Sequence, residues 1–153
     1  MNTKQLSAAG GKGAPRTALV VECNPDDVLL MRMAAEQVCP DVGFQFVPDA
    51  SAALAYLNGQ DPFADRAQHP FPNLLVLDTR PPALDSWKAL EALRRLAHCD
   101  SLLVLAWTEE DDADSRARAK AAGVHYFARR PFSFTTLLQE IDHICTLACE
   151  GPR

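Results

Sequence analysis

The feature that most constrains this chain is a regular alternation of short apolar runs with longer amphipathic ones, starting near residue 17. The run TALVVE at 17–22 is short and almost continuously apolar, as a strand buried on both faces must be. Similar runs recur at 43–47, 73–78 (NLLVLD), 101–107 (SLLVLAW) and 124–128. A stretch of helical character follows each one, at 25–38, 49–57, 85–97, 109–122 and 133–148. The first of these has a strong start signal. Asn24 suits an N-cap, Pro25 the first helical position, and Asp26 and Asp27 put negative charge at the positive end of the helix dipole. Cys39-Pro40 ends it, because a residue before proline is pushed out of the helical region. Asp49 or Ser51 caps the second helix and Asn58-Gly59 stops it. The pattern predicts an α/β protein with a doubly wound, five-stranded parallel sheet and helices on both faces. In such sheets sites form past the carboxyl ends of strands, where the winding direction reverses.

The chain of 153 residues suits one domain, expected over 17–149, after a small, polar, glycine-rich arm at 1–16 and before a tail at 150–153. The arm is expected to be disordered. A net charge of −5 argues against a general nucleic-acid grip, which needs a basic face. No apolar run approaches the roughly 18–20 residues of a membrane span, and the N-terminus has no apolar signal core. The five cysteines form no Cys-x-x-Cys pair, so a reduced, cytoplasmic setting is expected. Cys39, Cys99, Cys145 and Cys149 read as small packing residues. His69, His98, His125 and His143 show no metal-ligand spacing.

The polar residues at the strand ends carry the chemistry. Glu22, Cys23 and Asn24 follow the first strand, Asp78 ends the third, Thr108 ends the fourth, and Arg129, Arg130 and Pro131 follow the fifth. The fold brings them to one edge of the sheet. Carboxylates, a hydroxyl and a cation converging there suit the formation of an acyl phosphate on a carboxylate. Acids can hold a hard divalent ion through oxygen, and the hydroxyl and cation can hold phosphoryl oxygens. Thr108 is expected to cap the following helix as well.

These residues resemble the receiver domains of two-component signalling, over roughly 17–148, and among them the phytochrome-associated, stand-alone type. The likeness rests on Val21-Glu22-Cys23-Asn24-Pro25-Asp26-Asp27, on Ala53–Leu57 before the long 58–72 loop, and on Leu77-Asp78. It continues through the double-proline loop and Asp85, Thr108 thirty positions after Asp78, Phe127, and Arg130-Pro131-Phe132. The resemblance implies the (βα)5 flavodoxin-like receiver fold, with strand order 2-1-3-4-5. It implies that Asp78 accepts the phosphoryl group, that Thr108 and Arg130 contact it, and that Phe127 is the switch aromatic. Glu22, Asp78 and the backbone carbonyl of Arg80 would hold Mg2+. A histidine kinase, in this subgroup a phytochrome-type sensor, would be the donor. Output would pass to a downstream protein partner through the face of the fourth helix, fifth strand and fifth helix, and a homodimer is in keeping with the family. No enzymatic activity of its own, no nucleic-acid partner and no membrane partner are implied.

Four departures bear on that expectation. Cys23 replaces the usual directly ligating acid, and Mg2+ is poorly served by sulfur, so its binding should be weak. Arg130 replaces the family's lysine with a larger planar cation, which can contact a phosphoryl group or pair permanently with Asp78. Ser86 stands where the family usually has glycine, and Trp107 is bulky for its place. The alternative reading is therefore a pseudo-receiver, an interaction domain no longer regulated by phosphorylation. A phosphohydrolase or a flavin carrier fits poorly: Asp78-Thr79-Arg80 lacks the hydrolase's second aspartate, and no phosphate loop follows the first strand.

Overall fold

The structure is a computed structural model that describes residues 16–78, 83–109 and 112–150. Most of the N-terminal arm, Arg80 with the double proline, and the last residues of the tail lie outside the described residues. The strands are β1 (Arg16–Val21), β2 (Val42–Val47), β3 (Leu74–Asp78), β4 (Leu103–Thr108) and β5 (Tyr126–Arg129). The helices are α1 (Pro25–Val38), α2 (Ala50–Leu57), α3 (Ala83–Leu93), α4 (Ala113–Ala121) and α5 (Phe134–Glu150). All four strand pairings are parallel and the order is β2-β1-β3-β4-β5, as expected for a doubly wound sheet.

The apolar runs work as strands because alternate residues feed two different cores. Ala18, Val20, Leu74, Val76, Leu105 and Trp107 pack with Met31 and Ala34 of α1 and Ile141, Ile144 and Ala148 of α5. Leu19, Leu75, Leu77 and Val104 point the other way, against Tyr56 and Leu57 of α2 and Leu90 and Leu93 of α3. A strand with both faces covered cannot carry polar residues until its end, which is why Glu22 and Asp78 mark strand ends.

Caps place the helices. Asn24 accepts hydrogen bonds from the Asp26 and Asp27 amides, so α1 starts at Pro25 as the sequence predicts. Asp49, rather than Ser51, caps α2 by accepting from the Ala52 amide at 2.8 Å. Two helices differ from expectation. α3 begins at Ala83 and closes at Leu93, and a short 3-10 turn at Ala97–Cys99 carries the chain toward β4. α4 is shorter than 109–122 because its cap is Asp112, which accepts from the Ser115 amide at 2.8 Å. Thr108 is thus the last residue of β4 and not the helix cap.

The long 58–72 loop is packed rather than loose. Tyr56, Phe63 and His69 form a ring cluster, and Arg66 reaches back to the carbonyls of Leu57 and His69. One cysteine expectation is overturned. Cys39 and Cys145 form a disulfide between the end of α1 and α5, while Cys23, Cys99 and Cys149 are free. The two lie 106 residues apart, and only the packing of α5 beside α1 brings them together.

Candidate functional site

The site is assembled where β1 and β3 lie side by side, the point at which the strand order reverses. Glu22 follows β1 and is buried, its backbone amide donating to the Val47 carbonyl at 2.8 Å. Asp78 ends β3 opposite Trp107 of β4. Thr108 ends β4 and is buried, and its carbonyl accepts the Arg130 amide at 2.7 Å. That bond sets the backbone of Arg130 just beyond β5, so its side chain reaches back across the strand ends.

There the Arg130 guanidinium meets three carboxylates. Its Nη1 donates to Asp78 Oδ2 at 2.5 Å, and its Nη2 donates to Glu22 Oε1 at 2.7 Å and to Asp27 Oδ2 at 3.0 Å. The guanidinium lies 5.5 Å from the centroid of the Trp107 ring, in cation–π range. Trp107 is itself buried in the α1–α5 core, and its indole N–H donates to Glu140 Oε1 at 3.3 Å. The bulk that looks out of place in the sequence thus forms a rigid wall against which Arg130 lies.

The structure brings Glu22, Asp78 and Arg130 into direct contact and sets Thr108 one strand away. Cys23 is exposed and lines, with Val21, Glu22, Asn24, Pro48, Asp78 and Glu109, an open cavity of about 470 Å³. Phe127 lies in β5, half-buried, with the Arg116 guanidinium of α4 5.3 Å from its ring centroid. The carbonyl of Arg80 lies outside the described residues. Sequence reasoning misses Asp27 as a member of the site. Its charge reads as helix-dipole complementation, and only the close approach of β5's end to the first turn of α1 reveals the second role. Glu140 and Arg116 are missed for the same reason.

The donor set does not fit the divalent ion that the family implies. Glu22 Oε1 and Asp78 Oδ2 both accept from Arg130, and Glu22 Oε2 accepts the Asn24 amide at 3.1 Å. Cys23 offers a sulfur where a hard ion wants oxygen. Among the described residues no group of three His, Cys, Asp or Glu side chains is placed to hold a metal. No helix among them is long and apolar enough to cross a membrane.

This fold has known counterparts. No family model matches the chain. It is 25% identical over 130 residues to the probable methanogenesis regulatory protein FilR2 of Methanothrix harundinacea, covering 85% of this chain and 81% of that protein. It is 27% identical over 95 residues to the transcriptional regulatory protein PcoR of Escherichia coli, covering 62% of this chain and 41% of PcoR. The chain therefore spans less than half of PcoR. Among solved structures, a response regulator in red light signaling of R. palustris superposes with a TM-score of 0.80 at 25% identity, covering 90% of this chain and 99% of that one. The phosphorylated cyanobacterial phytochrome response regulator RcpA gives 0.77 at 20% identity, covering 92% and 100%. A Mn2+-bound form of the response regulator Rcp1 gives 0.70 at 22% identity, covering 85% and 91%. The fold is that of the flavodoxin-like receivers. The chain's relatives and structural neighbours are response regulators of two-component systems, bacteriophytochrome response regulators among them.

Proposed function

We propose that this receiver domain takes a phosphoryl group onto Asp78 from a histidine kinase and signals through protein contacts. The observation that carries the reading is the position of Asp78: at the end of β3, at the reversal point, lining an open cavity beside Glu22. A carboxylate oxygen of Asp78 would attack phosphorus as the P–N bond of a protonated phosphohistidine breaks, and the imidazole leaves neutral. Thr108 and Arg130 stand at the neighbouring strand ends and would contact the phosphoryl oxygens, Arg130 after giving up its bond to Asp78. Phe127, under Arg116 of α4, would carry the change to the α4–β5–α5 face. A phytochrome-type sensor kinase is the proposed donor, with a downstream protein or a second copy as the receiver of the signal. A cytoplasmic setting, in which the Cys39–Cys145 link would be open to reduction, no nucleic-acid or membrane partner and no enzymatic activity of its own complete the reading. Mg2+ binding would be weak, since Cys23 offers no oxygen.

One observation favours a second reading. The Arg130–Asp78 ion pair already gives Asp78 a cationic partner, as a pseudo-receiver locked in one state would have. Incubation with acetyl phosphate, or with a phosphorylated phytochrome-type kinase, separates the two. The first reading expects the intact-protein mass to rise by one phosphoryl group, with no rise in Asp78→Asn. An unchanged mass in both proteins under both donors establishes the pseudo-receiver.

A further inference from the structure

We propose that Arg130 is a built-in cation, held by Asp27, that occupies the carboxylate cluster in place of a divalent metal ion. The inference rests on reading Asp78 and its neighbours as the receiver site, and it deepens that reading by naming what fills the site at rest. Three carboxylates from three separate elements converge on one guanidinium: Glu22 after β1, Asp27 on α1 and Asp78 on β3. Glu22 and Asp78 are the two acids whose oxygens a metal ion would need, and each gives one to Arg130. The guanidinium side chain is only 12% exposed, so it is seated in the cluster rather than lying across its mouth.

The geometry depends on the shape of the side chain and not on its charge alone. A guanidinium is a planar fork whose Nη1 and Nη2 can donate to different acceptors at once. Here Nη1 serves Asp78 while Nη2 is shared by Glu22 and Asp27. Lysine, a single point donor on a flexible stem, cannot reproduce that spread. Trp107 supports one side of the fork, and the hydrogen bond that the Arg130 backbone N–H donates to the Thr108 carbonyl fixes its origin. Asp27 is the positioning residue of the set. The Asn24 cap holds it by accepting its amide, at 3.4 Å, in the first turn of α1, where its carboxylate reaches Nη2. Cys23 and Arg130 thus act together: the cluster presents a sulfur where the resemblance implies a metal-ligating carboxylate, and it holds a resident cation. A metal ion or a phosphoryl group meets Asp78 Oδ2 only when this fork lets go.

Mn2+ binding, followed by the loss of the free-ion electron paramagnetic resonance signal, tests this without any phosphoryl donor. Failure of phosphorylation and failure of this proposal are therefore separate outcomes. Wild type should bind Mn2+ weakly. Arg130→Met should bind it at least about tenfold more tightly, and Arg130→Lys, which keeps the charge and loses the fork, should fall between them. Asp27→Asn should also bind more tightly than wild type, because it loosens the fork. Trp107 emission in a Trp87→Phe background should shift on Mn2+-free Arg130→Met relative to its parent, reporting removal of the cation from the indole. Equal affinity in wild type and Arg130→Lys would reduce Arg130 to a mere charge and overturn the proposal. So would wild-type binding as tight as that of Arg130→Met. A fall in affinity in Asp27→Asn overturns the role of Asp27. Far-UV circular dichroism checks that each variant is folded, and if Arg130→Met is not, Arg130→Lys against wild type carries the test.

Discussion

His125 meets the sheet through one ring nitrogen: Nδ1 accepts the Val104 amide at 3.0 Å at the β4–β5 edge, although much of the residue is exposed. An accepting Nδ1 requires an unprotonated nitrogen. Burial of that part of the ring, reinforced by the Arg94 guanidinium, holds the His125 pKa below its ordinary 6.5. A folded pKa below the unfolded one means that the unfolded chain binds the proton first. Stability is then full above about pH 6.5 and declines as pH falls from there through the folded pKa. Urea unfolding at pH 7.5, 6.5 and 5.5 should show a falling midpoint, and His125→Phe should flatten the decline; parallel curves would refute the assignment. Tyr56 is a second polar residue decided by packing. Its hydroxyl donates to the Pro70 carbonyl at 2.8 Å, and burial pushes its pKa up to about 12 against the opposing pull of Arg66. Tyr56→Phe should cost about 1 kcal/mol in urea unfolding, since the carbonyl it serves loses its donor. At this scale Glu22, Asp78, Thr108 and Arg130 were legible in the sequence, because burial on both faces excludes a polar side chain from a strand until the strand ends. Asp27, Glu140 and Arg116 were not. Their partners are more than thirty residues away or on another element, and nothing in local spacing encodes that approach.

The strands were legible for a physical reason: a strand covered on both faces must be apolar throughout, and the runs at 17–22, 73–78 and 101–107 meet that demand, whereas their order came from the family resemblance alone. Helix ends were legible only where a cap stood next to the run. Asn24-Pro25 fixed α1 to the residue, whereas α4 starts later than its charge pattern predicts, because Glu109 resembles a first-turn acid while Asp112 holds the cap. The α1 cap belongs to the site as much as to the helix. Asn24 Oδ1 accepts from the Asp26 amide at 2.8 Å and holds the turn that presents Asp27 to Arg130. Asn24→Ala should therefore cost about 1 kcal/mol of stability. It should also move Mn2+ affinity in the same direction as Asp27→Asn, while Asp49→Ala, which uncaps α2 far from Arg130, should lower stability alone. If the two cap variants are alike in both measurements, α1 does not position the clamp.

The molecule as a whole is closed by a link that the sequence hides. The sheet's two cores are built on opposite faces, and α1 and α5 share one of them, so the end of α1 and the last third of α5 are neighbours although they are far apart in the chain. The odd cysteine count and the lack of a Cys-x-x-Cys pair read as free thiols, yet Cys39 and Cys145 face each other across that shared core and are joined. A cross-link between residues 106 positions apart restricts the unfolded chain far more than the folded one, and for a loop of that size the effect is roughly 2–5 kcal/mol. The oxidised protein should lose roughly 10 °C in Tm on addition of dithiothreitol. A Cys39→Ala, Cys145→Ala double variant should melt at the lower temperature with or without reductant. Cys23, Cys99 and Cys149 are outside the cross-link and should remain alkylatable in the unfolded, unreduced chain. Mass spectrometry of that chain after alkylation should thus count three labels before reduction and five after it. Five labels before reduction, or a Tm that dithiothreitol leaves unchanged, would show that α1 and α5 are held by packing alone. Because α1 carries Asp27 in its first turn and the cross-link at its other end, the linked and reduced forms should also differ in how readily Arg130 is displaced. Mn2+ affinity measured with and without reductant should differ in wild type and coincide in the double variant.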